Sequence, residues 1–201
     1  MVAIIDYGMG NVASVQKALR LLKIDSVITD NHDVIKNATS ILLPGVGSFA
    51  QGMKNLNERG LVEVLTNEVI VKKKKFIGIC LGMQLIMEKG IEPYDCLGLG
   101  WVKGSVVKFE LQNMNVPHMG WNNIQVLNDT YYKECQTDDF YFIHSYHVVP
   151  ENEEDIAATV RYGFDVVASI QKDNIFATQF HPEKSQTAGL SILKTFFEIN
   201  A

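Results

Sequence analysis

The pattern of apolar and polar positions divides the chain into two halves. In residues 1–90, short apolar runs alternate with segments of helical periodicity. Four runs predict buried strands, at Val2–Asp6, Val27–Thr29, Ile41–Leu43 and Phe76–Ile79. Helical spacing and capping predict helices that begin near Asn11, that run from about Leu61 to Val71, and that run from Cys80 to about Glu88. This alternation predicts a doubly wound, mainly parallel α/β sheet with active-site loops at the carboxyl ends of its strands.

The second half of the chain has a different pattern. From Gly98 to Phe180, short runs predict strands at Ser105–Phe109, Asn123–Val126, Phe140–Ile143, Ile156–Val160, Val166–Ile170 and Ile175–Phe180. The stretch Thr187–Ile199 then carries apolar residues at helical spacing, which predicts a last helix that covers the sheet. We therefore expect an additional strand-rich C-terminal half.

Length and charge narrow the class of protein. The 201 residues contain no linker-like segment, which predicts one domain over residues 1–201. A formal net charge of −5 disfavours a nucleic-acid or anionic-membrane partner. The first apolar run meets Asp6 at once, unlike a signal peptide, and no run of about 18 apolar residues predicts a membrane span, so we expect a cytoplasmic protein. A small substrate or a protein partner fits best.

The cysteines predict chemistry at one position. Cys80, Cys96 and Cys135 are odd in number and far apart, which favours neither a disulfide framework nor a zinc site. Residues Gly78–Gly82, GICLG, match the nucleophile elbow G-x-nucleophile-x-G between a strand and a helix. The helix N-terminus favours a thiolate, and the N–H of Leu81 is placed to donate to an oxyanion. The alternative is a buried cysteine in a glycine-rich turn.

A second candidate motif follows the last predicted strand. In an extended segment, residues i and i+2 project to the same side, so Glu183 is expected beside His181 as a base and its orienting group. Alone, the sequence His-Pro-Glu fits a polar turn ahead of a helix equally well. Together with Cys80 it supplies a nucleophile, a base and an acid.

These segments resemble known enzymes. GICLGMQ at Gly78–Gln84 and FHPEKS at Phe180–Ser185 are similar to the class I glutamine amidotransferases, which hydrolyse glutamine through a Cys-His-Glu triad. Three more segments resemble the glutaminase subunits of imidazole glycerol phosphate synthases of the histidine pathway: Asp6–Asn11, Pro44–Gly47 and Pro117–Asn122. The resemblance spans the chain and implies a class I glutamine amidotransferase type of α/β fold.

The resemblance also implies roles for individual residues. Cys80 is expected to be the nucleophile, His181 the general base and acid, and Glu183 the group that orients His181. The oxyanion donors are expected at Gly47 and Leu81. Contacts to L-glutamine are expected from Gln84, Glu92, His144, Ser145 and Tyr146. Contacts to a partner subunit are expected at Asn11 and Trp121, although Trp121 fits a β-turn cap equally well.

The resemblance implies a partner and no cofactor. A chain of this length is not expected to contain a synthase domain as well, so the ammonia consumer should be another polypeptide. By resemblance it is a cyclase subunit with a (βα)₈ barrel, bound as a heterodimer. The resemblance also implies that the peptide between Val46 and Gly47 turns a carbonyl into the oxyanion hole until that partner and its acceptor bind. Glycine at position 47 makes such a flip sterically possible, because it tolerates positive φ.

Other functions remain open from sequence alone. Residues 8–13 fit the dinucleotide pattern G-x-G-x-x-[G/A], with Asp30 about 20 residues on, but this interpretation leaves Cys80 and His181 unexplained. The remaining alternatives are a paralogous glutaminase that feeds amidation of a surface sugar, a binding module with this glycine loop, and a hydrolase of other γ-glutamyl or amide substrates. No metal is predicted, because His144 and His147 would face opposite sides of one strand.

Overall fold

The computed structural model describes residues 1–112 and 114–198. The strands are β1 (Val2–Ile5), β2 (Ser26–Thr29), β3 (Ser40–Gly45), β4 (Lys75–Cys80), β5 (Met87–Gly90), β6 (Cys96–Leu97), β7 (Val102–Lys108), β8 (His118–Val126), β9 (Asp139–His144), β10 (Tyr146–Pro150), β11 (Ile156–Tyr162), β12 (Phe164–Lys172) and β13 (Ile175–Thr178). The helices are α1 (Val12–Leu21), α2 (His32–Asn37), α3 (Phe49–Glu58), α4 (Leu61–Thr66), α5 (Leu81–Leu85) and α6 (Gln186–Glu198). A π-helical turn, Asn67–Val71, continues α4.

Two sheets organise the described residues. The larger has the order β2-β1-β3-β4-β13-β12-β11-β8-β9. Its strands are parallel from β2 to β13 and antiparallel from β13 to β9. The smaller has the order β10-β7-β5-β6. The predicted α/β class, with a parallel first part and a strand-rich second half, is confirmed.

Strand β4 lies between β3 and β13, which explains its unbroken apolar run. Both faces of a central parallel strand are covered, so alternation is lost. Phe76 packs into the cluster formed with α3, α4 and β7, while Ile77 packs on the opposite face with α1 and α6. The carboxyl end of this buried strand is Cys80. The sheet therefore fixes the position of the elbow from both sides.

Several boundaries differ from the sequence prediction. The helix after Cys80 ends at Leu85 and not near Glu88, because Met87–Gly90 forms β5 and pairs with β7. The run Ile175–Phe180 stays a strand only to Thr178. Strand β10, the two-residue β6 and the helices α2 and α3 were not predicted, since their periodicity is short or mixed. The predicted last helix is α6, and its expected end at Ile199 lies outside the described residues.

Asparagine side chains cap the N-termini of the helices α1 and α2. Asn11 caps α1 as predicted, and its side chain accepts a hydrogen bond from the N–H of Ser14. Asn31 caps α2 by accepting from the N–H groups of Asp33 and Val34.

Along the described ranges, no helix combines the length and the apolar character needed to cross a membrane.

Candidate active site

The elbow at Cys80 has a strained backbone. Cys80 ends β4 and immediately precedes α5, with φ 54° and ψ −107°. A positive φ is uncommon for any residue other than glycine and recurs at active sites. A Cβ at position 82 would collide with the carbonyl oxygen of Leu43, and one at position 78 would lie 2.8 Å from the carbonyl oxygen of Gly82. The two glycines therefore allow β3, β4 and α5 to approach closely enough to form this turn.

His181 and Glu183 are in direct contact. The Nδ1 atom of His181 lies 2.7 Å from Oε1 of Glu183, and both side chains are almost fully buried. The predicted contact is present, but its predicted geometry is wrong, because Pro182–Lys184 forms a 3₁₀ turn and not an extended segment. The pair still meets because this turn directs the carboxylate back toward the imidazole.

The backbone of His181 is also held in place. Its N–H donates to the carbonyl oxygen of Tyr141 at 2.9 Å. The Ser185 hydroxyl donates to the His181 carbonyl at 2.7 Å and accepts from the Tyr141 N–H at 3.0 Å. Hydrogen bonds with Tyr141 in β9 and with Ser185, just before α6, therefore fix the backbone at the start of the His-Pro-Glu segment. Ser185 belongs to the FHPEKS motif, although sequence analysis gave it no role.

The environment of His181 favours a charged ring. Burial alone lowers the pKa of His181, but the negative charge of a Cys80 thiolate and the contact with Glu183 raise it to about 10. The Nε2 atom is buried and makes no hydrogen bond of ordinary geometry, so Cys80 acts on it chiefly through charge. This arrangement supports a thiolate–imidazolium pair with a free Nε2 proton.

Two groups that the sequence analysis missed contact the sulfur of Cys80. The Nε2 atom of Gln179 donates to Sγ at 3.7 Å, and Sγ lies 3.9 Å from the Ile143 carbonyl oxygen, to which the sulfur donates only in its protonated form. Gln179 is fully buried at the end of an apolar run, and a polar residue in such a position was the available sequence signal. Ile143 contributes only its backbone, so no sequence signal could identify it.

A pocket of about 390 Å³ opens beside Cys80. It is lined by Val46, Gly47, Ser48, Cys80, Leu81, Gln84, Glu92, Pro117, Ile143, His144, Ser145, Tyr146 and Lys184. The fold thus brings together every predicted oxyanion and substrate-contact residue. His181 and Glu183 lie behind this lining, buried against β9 and α6.

Both oxyanion candidates line the pocket. Leu81 is the first residue of α5, and Gly47 follows β3 with φ +114°. A side chain at position 47 would require that unusual φ, and its Cβ would come within 2.6 Å of the Met9 methyl carbon. The positive φ therefore favours glycine at position 47, whereas the contact with the flexible end of Met9 can be relieved by a movement of that side chain.

Glu92 is a half-buried acid at the pocket. Its carboxylate accepts from the N–H of Phe49 at 3.3 Å, at the start of α3. Burial raises the pKa of Glu92, and this hydrogen bond partly opposes the rise. A carboxylate with incomplete hydration is suited to an ammonium group, because burial strengthens the attraction between opposite charges.

The two candidate partner residues lie on exposed surface. Asn11 caps α1, while Trp121 is 45% exposed within β8 and packs edge-on against Tyr141 at a centroid distance of 6.0 Å. Trp121 does not cap a turn, since it pairs with Tyr141 in the middle of the β8–β9 ladder. Met119 on the same strand and Val46 beside the pocket are also exposed.

The reasoning about His144 and His147 is corrected by the structure. The chain leaves β9 at Ser145, so the two rings do not face opposite sides of one strand. Both pack against Phe109, with centroid distances of 5.2 Å for His144 and 4.8 Å for His147. Among residues 1–112 and 114–198, no three His, Cys, Asp or Glu side chains converge as metal ligands.

Asp30, the acidic residue that a dinucleotide site would need, is already paired with Arg59. Asp30 accepts from Arg59 Nη1 at 2.9 Å, and the same nitrogen lies 3.3 Å from the Asp6 carbonyl. A Cβ at position 8 would lie 3.1 Å from Arg59 Nη2. The space beside the glycine loop is therefore occupied by a side chain of α3's C-terminal end, where a nucleotide ribose would need to bind Asp30.

Comparisons with known proteins agree with this geometry. The family profile described as "Glutamine amidotransferase class-I" matches residues 3–199. Imidazole glycerol phosphate synthase subunit HisH 1 of Campylobacter jejuni is 48% identical over 202 residues, covering 99% of this chain and 100% of the relative. HisH 2 of Pseudomonas aeruginosa is 40% identical over 205 residues, covering 99% and 100%.

Solved structures share the fold at low sequence identity. One titled "Crystal structure of glutamine amidotransferase" superposes with a TM-score of 0.74 at 17% identity, covering 98% of each chain. PurLQS from Thermotoga maritima superposes with a TM-score of 0.72 at 16% identity, covering 98% of this chain and 96% of that one. At these identities the likeness concerns the fold alone.

Proposed function

Since this chain belongs to the class-I glutamine amidotransferase family, we propose that it is the glutaminase subunit of an imidazole glycerol phosphate synthase. It hydrolyses L-glutamine to glutamate and ammonia and passes the ammonia to a synthase subunit in histidine biosynthesis. The observation that carries the proposal is the strained Cys80 elbow beside the buried His181–Glu183 pair, at one end of a pocket. Residues 1–201 act as a single glutaminase domain.

The first half-reaction releases ammonia. The Cys80 thiolate attacks the carbon of the side-chain carboxamide and forms a carbon–sulfur bond, while the carbonyl electron pair moves onto oxygen. The N–H groups of Leu81 and Gly47 stabilise this oxyanion. His181 then gives its Nε2 proton to the amide nitrogen, and the carbon–nitrogen bond breaks. Ammonia departs, and the γ-glutamyl group remains bound to Cys80 as a thioester.

The second half-reaction regenerates the thiolate. Neutral His181 accepts a proton from water as the water oxygen attacks the thioester carbon. The carbon–sulfur bond breaks, the sulfur keeps the electron pair, and glutamate forms. Glu183 stabilises the imidazolium in both halves and orients the ring through Nδ1, without exchanging a proton with the substrate.

The pocket's polar groups recognise a zwitterionic amino acid. Glu92 is suited to the α-ammonium group, and Ser145 and Tyr146 to the α-carboxylate. Gln84 and His144 line the space that the side chain of the glutamine substrate occupies. Charge-assisted hydrogen bonds of this kind replace the water that binding displaces.

The partner is a cyclase subunit with a (βα)₈ barrel, and the two chains form a heterodimer in the cytoplasm. The curated relatives described above are named as subunits of imidazole glycerol phosphate synthase. Exposed apolar side chains on β8, Met119 and Trp121, lie on the contact, together with Asn11 at the start of α1. Aromatic residues and methionine are enriched in protein interfaces.

Glutamate release by the isolated chain and by its complex tests the proposal. In the resting state that the resemblance implies, the carbonyl of Val46 points into the oxyanion hole and one donor is missing, which costs about 10²–10³ in kcat. We expect the synthase subunit with its nucleotide substrate to raise the rate at least about 100-fold. Cys80→Ser in the same complex is the control and should release no glutamate. Full activity of the isolated chain would contradict the coupling, and an inactive complex would contradict the function.

A further inference from the structure

A continuous chain of hydrogen bonds runs from the surface strand β8 to the sulfur of Cys80. We name it the amide–imidazole chain, and its members are Asn122, His118, His144, the Tyr146 carbonyl, Gln84 and Gln179. The roles derived above for the reaction do not require Asn122, His118 or Gln179. All three side chains nevertheless belong to the series of contacts that ends on the nucleophile.

The outer end has a fixed orientation. The Asn122 oxygen accepts from the backbone N–H of Asn123 at 2.9 Å, and its nitrogen donates to the Arg161 carbonyl at 3.2 Å. The second N–H of that nitrogen therefore points at His118 Nε2, 3.2 Å away, which must act as an acceptor.

The two imidazoles transmit this orientation. A neutral ring that accepts at one nitrogen donates from the other, so His118 Nδ1 donates to His144 Nε2 at 3.0 Å. His144 Nδ1 then donates to the Tyr146 carbonyl at 2.8 Å. Burial lowers the pKa of both rings, to about 4 for His118 and about 3 for His144, which keeps them neutral as this order requires.

The Tyr146 carbonyl also sets the orientation of Gln84, at the inner end of the chain near Cys80. A carbonyl oxygen can only accept, so Gln84 faces Tyr146 with its nitrogen, at 3.1 Å. The other N–H of Gln84 donates to Gln179 Oε1 at 3.1 Å. Gln179 must then present its own nitrogen to Cys80 Sγ, at 3.7 Å. Hydrogen-bond direction is therefore set separately in the two halves of the chain: Asn122 sets it for the two imidazoles, and the Tyr146 carbonyl sets it for Gln84 and Gln179. The two halves are linked by the position of that carbonyl, which accepts from both.

We infer that Gln179 is a positioning residue for the Cys80 nucleophile, and that the Tyr146 carbonyl holds Gln179 in its donating orientation through Gln84. Strand β8 contributes by fixing the position of that carbonyl through His118 and His144. The inference rests on the proposed role of Cys80. An N–H directed at Sγ stabilises a thiolate and restricts its side chain to the rotamer that faces the pocket. The reversed amide would place Oε1 against the sulfur and repel it.

Replacing Gln179 tests the inner end. In the full chain, Gln179→Met keeps side-chain length but removes the donor, and we expect iodoacetamide to alkylate Cys80 about ten- to a hundred-fold more slowly. In the complex, kcat should fall by a similar factor with KM nearly unchanged. Gln171→Met is the matched control on the neighbouring strand, where the glutamine Oε1 already lacks a hydrogen-bond partner, and it should behave like wild type. Should Gln179→Met fail to fold, Gln179→Glu, which has no donor when ionised, takes its place with the same expected losses.

Replacing His118 tests the link to β8. Asparagine places an N–H near the position of imidazole Nδ1, so His118→Asn should keep kcat within about threefold of wild type, whereas His118→Leu should lose about tenfold. Equal losses in these two variants would overturn the link to β8. Wild-type alkylation and kcat in Gln179→Met would overturn the inference itself. Absence of glutamate release by the wild-type complex would instead contradict the proposed function, while the alkylation measurement would still test Gln179.

Discussion

Buried histidines lie on two sides of the pocket, and their environments act in opposite directions. On one side, the Cys80 charge and Glu183 overcome the effect of burial and raise the pKa of His181 to about 10. On the other side, His118 and His144 contact each other and an aromatic cluster, and burial lowers their pKa values to about 4 and about 3. The same residue type is therefore held charged in one region and neutral in the other.

This difference assigns proton transfer to His181 and a structural hydrogen-bonding role to His118 and His144. A ring that is held protonated next to a thiolate can deliver a proton to a leaving group. A ring that is held neutral keeps one donor and one acceptor, and so it transmits hydrogen-bond direction. The pH dependence of stability also differs in sign. The His181 contribution is fully present below pH 6.5 and is lost as pH rises toward 10, whereas that of His118 is lost as pH falls below 6.5.

The largest expected effects lie on the charged side. Cys80→Ser and His181→Ala should each lower glutamate release by the complex by about 10⁴–10⁶, because both act in the same bond-making and bond-breaking steps. Partner binding should change little in either variant, and the melting temperature should change little in Cys80→Ser. A glutamine-directed electrophile should label Cys80 alone among the cysteines. Labelling of Cys96 or Cys135, with Cys80→Ser still active, would contradict the assignment.

Glu183→Gln should have a smaller effect than His181→Ala, by about 10- to 100-fold. The carboxylate orients and charges the imidazole but exchanges no proton with the substrate. The double variant should be no worse than His181→Ala, since Glu183 acts only through that ring. Additive losses, measured as kcat/KM in a double-mutant cycle, would show that the two residues do not work as one unit.

The sequence predicted the charged side well because its signals are local. The GICLG elbow places Cys80 through five consecutive residues, and Glu183 lies two residues after His181. Even there, the contact forms through a 3₁₀ turn, which the extended interpretation did not anticipate. The fold class was equally accessible, since buried parallel strands such as β4 produce continuous apolar runs.

The neutral side could not be predicted in the same way. His118 and His144 are 26 residues apart, and their hydrogen bond depends on the antiparallel register of β8 with β9. Gln84 and Gln179 are 95 residues apart. Spacing in sequence carries no information about such pairs, and the bend at Ser145 brings His144 and His147 against the same ring, Phe109, instead of onto opposite faces of one strand. These features required the folded chain.

Trp121→Ala tests the surface beside the neutral side. A half-exposed tryptophan at an interface centre contributes about 2 kcal/mol, so the dissociation constant of the complex should rise about 30-fold. The basal alkylation rate of Cys80 should stay unchanged, and the melting temperature of the isolated chain should change little, because Trp121 is 45% exposed. Calorimetric titration with the synthase subunit measures the effect. A large loss of melting temperature with unchanged affinity would assign Trp121 to the fold.

The smallest expected effect is the pH dependence of unfolding, and it isolates His118 from the charged side. In the folded chain the pKa of His118 is about 4, against an ordinary value of 6.5, so at pH 5.5 the unfolded chain binds a proton that the folded chain excludes. The His118 contribution to stability must then fall by about 1 kcal/mol as pH decreases from 7.5 to 5.5, whatever the other titrating groups contribute. His118→Asn retains a donor toward His144 but cannot be protonated, so its urea unfolding free energy should fall by about 1 kcal/mol less over this interval. Parallel pH dependences in the two proteins would mean that His118 is hydrated or protonated in the fold. The hydrogen bond from His118 to His144 would then lack the neutral ring that gives it its direction.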